Sequence, residues 1–133
     1  MIARPLTASM GKWHRSYQDN YFSKKLFIKN LKVEQIFLDD YVNKESIIPD
    51  VLKIDVEGAE FNVLDGATKI LNEYRPQIII SLHPKHLRLL KRDIREIYDY
   101  CSLYSYRLLS CTDEHLISRN ELGLDEYYLQ PLL

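Results

Sequence analysis

A carboxylate and an imidazole lie near the ends of two apolar segments of this chain. Asp55 is close to the end of VLKIDV (residues 51–56), and His83 ends QIIISLH (residues 77–83). Both segments are predicted to be buried strands, and open α/β sheets bind ligands beyond the C-terminal ends of their strands. We therefore expect the two side chains on one rim of the sheet. There the carboxylate could fix the tautomer of the histidine, so that the pair acts as a general base.

Two further carboxylates belong to the turn that follows Asp55. Glu57 comes two residues later, Gly58 permits a tight turn, and Glu60 falls in the first turn of the next predicted helix. Together with Asp55 and His83, the two glutamates complete the candidate catalytic set. Simpler interpretations remain open: Glu60 could complement the helix dipole, Asp55 could cap the helix, and His83 could be a hydrogen-bonded histidine at a strand end.

An alternation of strands and helices positions these groups. Apolar spacing predicts strands over residues 51–56, 77–83, 104–111, 115–118 and 125–129. It predicts helices over residues 38–43, from 59 to about 71, and from about 85 to 101, with the second of these stopped at Tyr74-Arg75-Pro76. The order predicts an α/β fold with parallel central strands and antiparallel strands at the C-terminal edge.

Length and composition describe an ordinary globular chain. Its 133 residues suffice for one domain, which we divide into an irregular segment with one possible strand (residues 1–32) and the α/β part (residues 33–133). The net charge of -1 gives no electrostatic argument for nucleic acid or an anionic membrane. No apolar run could span a bilayer, and the N-terminus lacks the apolar core of a secretory signal. The cysteines, Cys101 and Cys111, make no disulfide framework, so a cytoplasmic location is expected.

The predicted sheet looks incomplete. An apolar parallel strand needs neighbours on both sides, and residues 51–56 could find only one good partner strand in the first 50 residues. We therefore expect this part of the fold to pair with a missing N-terminal half or with a second copy of the chain.

Six features of the sequence, taken in order, resemble the C-terminal half of the FkbM-like methyltransferases, which use S-adenosylmethionine. They are Leu38-Asp39-Asp40, the KIDVEGAE run over residues 53–60, Val63-Leu64, Gly66-Ala67, Arg75-Pro76, and the apolar strand that ends in His83. The resemblance is strong over residues 33–84 and looser elsewhere.

The resemblance implies a partial Rossmann-like class I fold and methyl transfer to an oxygen, usually a hydroxyl of a sugar or glycan. Asp55, Glu57 and His83 would then lie at the ends of the fourth and fifth strands, facing the acceptor. Either His83 or Asp55 would be the base, and Glu57 and Glu60 would shape the acceptor site or the turn. The acceptor implied is thus a sugar-like small molecule or glycan, with no nucleic acid partner.

The sequence departs from this family in two places. Ser81 stands where many relatives have a glutamate, although a Ser-x-His-Pro version is also familiar in the family. The glycine-rich loop that holds the cofactor has no counterpart, because no two of the glycines are close together: Gly11, Gly58, Gly66 and Gly123. This implies a C-terminal fragment that binds S-adenosylmethionine poorly and is inactive by itself.

Two rival interpretations and several lesser signals remain. The chain could be a non-catalytic remnant or partner subunit that binds another chain. It could also be a hydrolase using Asp55 and His83, although no Ser or Cys lies at a strand-to-helix elbow. His115 is either a surface histidine or a site residue, and Trp13-His14 could cover the acceptor pocket. No metal is predicted, because Asp55 and His83 have no evident third ligand.

Overall fold

The computed structural model of the protein describes residues 34–132. From Phe37 onward these residues belong to one compact unit. The helical elements are α1 (Leu38–Glu45), α2 (Glu60–Asp65), a π-helical turn (Ile70–Tyr74), α3 (Pro84–Leu89), a 3-10 turn (Ile94–Glu96) and α4 (Ile97–Tyr104). The strands are β1 (Val51–Ile54), β2 (Gln77–Leu82), β3 (Tyr106–Ser110) and β4 (Asp125–Pro131).

The four strands form one mixed sheet in the order β1-β2-β4-β3. β1 and β2 are parallel, with Val51 opposite Gln77 and Ile54 opposite Ile80. β4 is antiparallel to both β2 and β3. The predicted parallel pair followed by antiparallel C-terminal strands is therefore confirmed.

Alternation along the strands gives the sheet an apolar face and a polar face. The apolar face carries Ile54, Ile80 and Leu129, all of which are buried. Among the helices, α2 contacts β2 and α4 contacts β3. Phe61 of α2 stacks on Tyr100 of α4 with ring centroids 5.4 Å apart, which joins the two helices. We define the polar face by Lys53, Ser81 and Glu126, together with Asp55 and His83 just beyond the strand ends. Little exposure was expected for β1, but Val51 is 54% exposed, and by alternation it lies on the same face as exposed Lys53.

The helix predicted over residues 85–101 is wrong as a single element. α3 ends at Leu89, and Lys91 adopts a left-handed φ of 60°. Asp93 and Glu96 then form a reciprocal capping box that starts a new helical segment and leads into α4. The sequence carries this signal as D-x-x-E over residues 93–96. Capping residues of this kind favour the start of a new helix over the continuation of the previous one.

Three other predicted boundaries change. α2 ends at Asp65, so the helix predicted over 59–71 becomes α2 and the separate π-helical turn. The strand predicted over 104–111 starts only at Tyr106, since α4 extends to Tyr104 and is closed by the left-handed residue Ser105. The strand predicted over 115–118 is wrong, because this segment contributes only an isolated bridge between Leu116 and Leu109. The segments before residue 34, including Trp13-His14, lie outside the described residues.

Three residues from the six sequence features described above stabilise the fold: Asp39, Gly66 and Arg75. Asp39 accepts hydrogen bonds from the backbone N–H groups of Lys69 and Ile70, at 2.8 and 3.0 Å, and so ties α1 to the start of the π-helical turn. A Cβ added at Gly66 would lie 3.0 Å from a ring carbon of Phe37, so glycine permits this close approach.

Arg75 supports the far end of the sheet. Its guanidinium donates to the backbone carbonyls of Tyr104, Ser105 and Leu132, at 3.4, 3.1 and 2.7 Å. It thereby satisfies carbonyl groups at the end of α4 that have no partner within the helix. No helix in the part of the chain that the structure describes is long and apolar enough to cross a membrane.

Candidate functional site

The turn after β1 brings the predicted site residues together. Asp55 and Val56 continue the strand direction, and the chain then reverses through Glu57 and Gly58, whose φ angles are 50° and 107°. Both values lie in the left-handed region, which glycine adopts freely and which costs a residue such as glutamate roughly 1 kcal/mol. The reversal starts α2 at Glu60, next to the end of β2.

Glu60 is the close partner of His83. Its side chain is 0% exposed, and its Oε1 lies 2.7 Å from Nδ1 of His83 and accepts the Gly58 N–H at 2.8 Å. Its Oε2 is buried with no hydrogen-bond partner among the described residues. A buried carboxylate needs hydrogen bonds to remain stable, so the imidazole and the Gly58 amide both stabilise Glu60.

Asp55 faces the other nitrogen of the ring. Its Oδ1 is 3.8 Å from Nε2 of His83, and its side chain is 51% exposed, whereas that of His83 is 19% exposed. This distance is too long for a direct hydrogen bond. His83 is therefore held by a buried glutamate on one side and faces a solvent-accessible carboxylate on the other.

The structure decides among some of the simpler interpretations. Asp55 does not cap α2: the N-cap residue is Ala59, and no side chain caps this helix. Glu60 does lie in the first turn of α2, but its short contact is with His83 rather than with solvent. Glu57 is exposed in the turn. The catalytic roles of Asp55, Glu57, Glu60 and His83 stay predictions.

Sequence reasoning missed a second polar cluster on the same face of the sheet. Nζ of Lys53 donates to Oγ of Ser81 at 3.0 Å and forms an ion pair with Glu126, and Ser81 donates to Oε1 of Glu126 at 3.1 Å. The ion pair lowers the pKa of Glu126, mainly through its hydrogen bond with Lys53. Only the placement of β4 beside β2 creates this cluster, which no local pattern in the sequence signals.

His115 lies in the exposed loop between β3 and β4, paired with two carboxylates. Nδ1 is 2.6 Å from Asp113 and Nε2 is 3.2 Å from Glu121. The hydrogen bond with Asp113 is the main cause that raises the pKa of His115 and lowers that of Asp113 to about 2. The charged pair therefore holds this loop above about pH 2 and weakens as the pH rises through the elevated pKa of His115.

We expect Asp113→Asn to lower the pKa of His115 toward the ordinary histidine value, because the variant removes the carboxylate that most favours the imidazolium. An NMR pH titration of the His115 ring protons measures the change. Glu121→Gln should have a smaller effect, since its contact is longer. An unchanged pKa in Asp113→Asn would contradict the geometry of this loop.

Both cysteines are free thiols, and no metal-binding cluster is found in the part of the chain that the structure describes. Cys101 is buried, which raises its pKa to about 12, and Cys111 is exposed with a free thiol. Within residues 34–132, no group of three or more His, Cys, Asp or Glu side chains is arranged to hold a metal ion.

Comparison with known proteins identifies one family. The family model described as "Methyltransferase FkbM domain" matches residues 7–108, which include Asp55, Glu57, Glu60 and His83. Glu126 and His115 lie beyond the matched range. No curated protein and no solved structure matches the chain.

Proposed function

Because this chain belongs to the FkbM methyltransferase domain family, we propose that it carries the acceptor side of an S-adenosylmethionine-dependent O-methyltransferase site. The acceptor is a hydroxyl of a sugar or glycan-like molecule, and the fold is the corresponding part of a Rossmann-like domain. The observation that carries the proposal is His83, with Nδ1 on buried Glu60 and Nε2 facing Asp55.

His83 is the general base. We assign the Nδ1–H of His83 as the donor of the hydrogen bond to Oε1 of Glu60. This leaves the lone pair on Nε2, which faces the accessible side of the rim. Nε2 would take the proton of the acceptor hydroxyl as that oxygen is methylated. The cofactor, when bound, would supply the methyl group, and its sulfur would keep the electron pair of the broken carbon–sulfur bond and leave as a neutral thioether. Proton removal by a positioned base contributes about 100- to 10,000-fold to such a step.

Asp55 has two roles in this proton transfer. Its Oδ1 lies 3.8 Å from Nε2, and its carboxylate can accept a hydrogen bond from a neighbouring hydroxyl of an acceptor bound at His83. It also stabilises the imidazolium that His83 becomes, because opposite charges at this distance attract even in a partly solvated site.

Two exposed carboxylates after β1 suit the positively charged part of the cofactor. S-adenosylmethionine, when bound, supplies an electrophilic methyl group on a positively charged sulfur. The exposed carboxylates of Asp55 and Glu57 suit a cationic group at the rim. Residues 34–132 contain no pair of neighbouring glycines for a loop around the nucleoside, so other residues would hold that part.

The test is methyl transfer by the purified 133-residue chain. S-adenosylmethionine with a labelled methyl group is incubated with methyl hexopyranosides, with an amine and a thiol as alternative acceptors, and calorimetry on the same sample measures cofactor binding. Label on a sugar oxygen supports the proposal. Label on the amine or thiol alone contradicts O-methylation, and absence of cofactor binding contradicts activity of this chain by itself.

A further inference from the structure

The cluster of Lys53, Ser81 and Glu126 joins three adjacent strands. Ser81 lies directly opposite Glu126 in the pairing of β2 and β4, and Lys53 reaches both from β1. The side chains of Lys53 and Glu126 are 46% and 52% exposed, whereas Ser81 is 7% exposed. The cluster therefore has a buried hydroxyl at its base and two accessible charged groups above it.

This cluster lies beside the proposed base. Lys53 precedes Asp55 by two residues and Ser81 precedes His83 by two, so alternation places them on the same face of the sheet. Two residues of strand span about 7 Å. A molecule with one hydroxyl at Nε2 of His83 can thus present a second hydroxyl to the cluster.

The cluster retains hydrogen-bonding capacity for a ligand. The Lys53 ammonium has three donors, of which Ser81 and Glu126 use two. Glu126 engages Lys53 and Ser81 through Oε1, and its Oε2 has no hydrogen-bond partner among residues 34–132. A hydroxyl both accepts and donates, so it can take the third Lys53 proton and give its own proton to Oε2.

We propose that Lys53, Ser81 and Glu126 form a subsite for a second hydroxyl of the acceptor. This rests on the proposed function and narrows it: the acceptor is polyhydroxylated, with a second hydroxyl that reaches the cluster when the first lies at Nε2 of His83. An acceptor with a single hydroxyl lacks a partner for the two charged groups and binds more weakly.

The test is amide NMR of the isotopically labelled chain titrated with a panel of methyl hexopyranosides, with cyclohexanol as the single-hydroxyl probe. We expect at least one glycoside to shift the amides of Lys53, Ser81, Glu126 and His83 together and saturably, and cyclohexanol to leave Lys53 and Glu126 unmoved. Glu126→Gln and Lys53→Met should each weaken glycoside binding about tenfold, since a hydrogen bond to a charged group is lost. Glu45→Gln, an exposed change on α1, is the control and should bind normally.

The outcomes separate this inference from the proposed function. Shifts at His83 without shifts in the cluster, or unchanged affinity in both folded variants, overturn the subsite and leave the base in place. Shifts in the cluster without His83 support the subsite and overturn the proposed placement of the acceptor at the base. The absence of glycoside binding across the panel overturns the subsite. The two variants change opposite ends of the cluster. The affinity of either one is enough for the test, provided that it keeps the wild-type circular dichroism spectrum.

Discussion

Replacement of His83 by glutamine is expected to lower kcat for methyl transfer about 100- to 10,000-fold while changing the acceptor KM little. Glutamine keeps polar atoms near the position of the ring but cannot take the hydroxyl proton at neutral pH. The loss therefore falls on the step in which the proton leaves the acceptor. The measurement is initial rate of labelled-methyl transfer against acceptor concentration.

His115→Gln is the matched control, because it removes a histidine from an exposed loop outside the site. It should retain the wild-type rate. A His83→Gln protein that folds and transfers methyl groups at the wild-type rate would show that His83 is not the base, and Asp55 would then be the remaining candidate.

The proximity of Asp55 and His83 could be predicted from sequence because it depends on local sequence patterns. Asp55 and His83 each follow an apolar segment, and parallel strands end at the same edge, so their proximity needs only the β1–β2 pairing. The capping box that begins at Asp93 is an equally local signal, but a longer apolar stripe runs across it. That stripe continues through residues 85–101 and predicts one helix where there are two.

Other parts of the site depend on long-range placement. No pattern tells whether Glu60, in a first helical turn, points to solvent or folds under His83, because both arrangements suit the helix dipole. The insertion of β4 between β2 and β3 places Glu126 beside Ser81, 45 residues away in sequence. Ser81 thus has a carboxylate beside it. Its source is a strand beyond the range that the family model matches.

The residues of the recognised pattern separate into two groups by their contacts. Asp39, Gly66 and Arg75 hold helices and chain ends together, whereas Asp55, Glu60 and His83 meet at the rim. The first group joins α1 to the π-helical turn and holds the end of α4 and the C-terminal end of β4 together. The second group depends on the pairing of β1 with β2, since the 2.7 Å contact of Glu60 with His83 joins the helix that follows β1 to the end of β2.

Glu60→Ala is expected to reduce the free energy of unfolding by about 3 kcal/mol. The variant leaves the Gly58 amide and Nδ1 of His83 without an acceptor and opens a cavity where the carboxylate was buried. A urea-unfolding midpoint measures this loss. Glu73→Ala, which removes an exposed glutamate from the π-helical turn, is the control and should change stability by less than about 0.5 kcal/mol.

A loss of stability would also be expected if Glu60 had only a structural role. The tautomer of His83 therefore decides whether Glu60 also positions the base. Nitrogen-15 NMR of the ring should find the proton on Nδ1 in the wild-type protein, because the Nδ1–H donates a hydrogen bond to Oε1 of Glu60. In Glu60→Gln, which keeps the shape of the side chain, the carboxylate charge that favours this tautomer is gone, and a mixture of the two tautomers is expected. Since only the Nδ1–H form offers a lone pair at Nε2, methyl transfer should fall with the population of that form. An unchanged tautomer in folded Glu60→Gln together with reduced activity would mean that Glu60 acts on the acceptor site by another route, and unchanged activity would remove it from the mechanism.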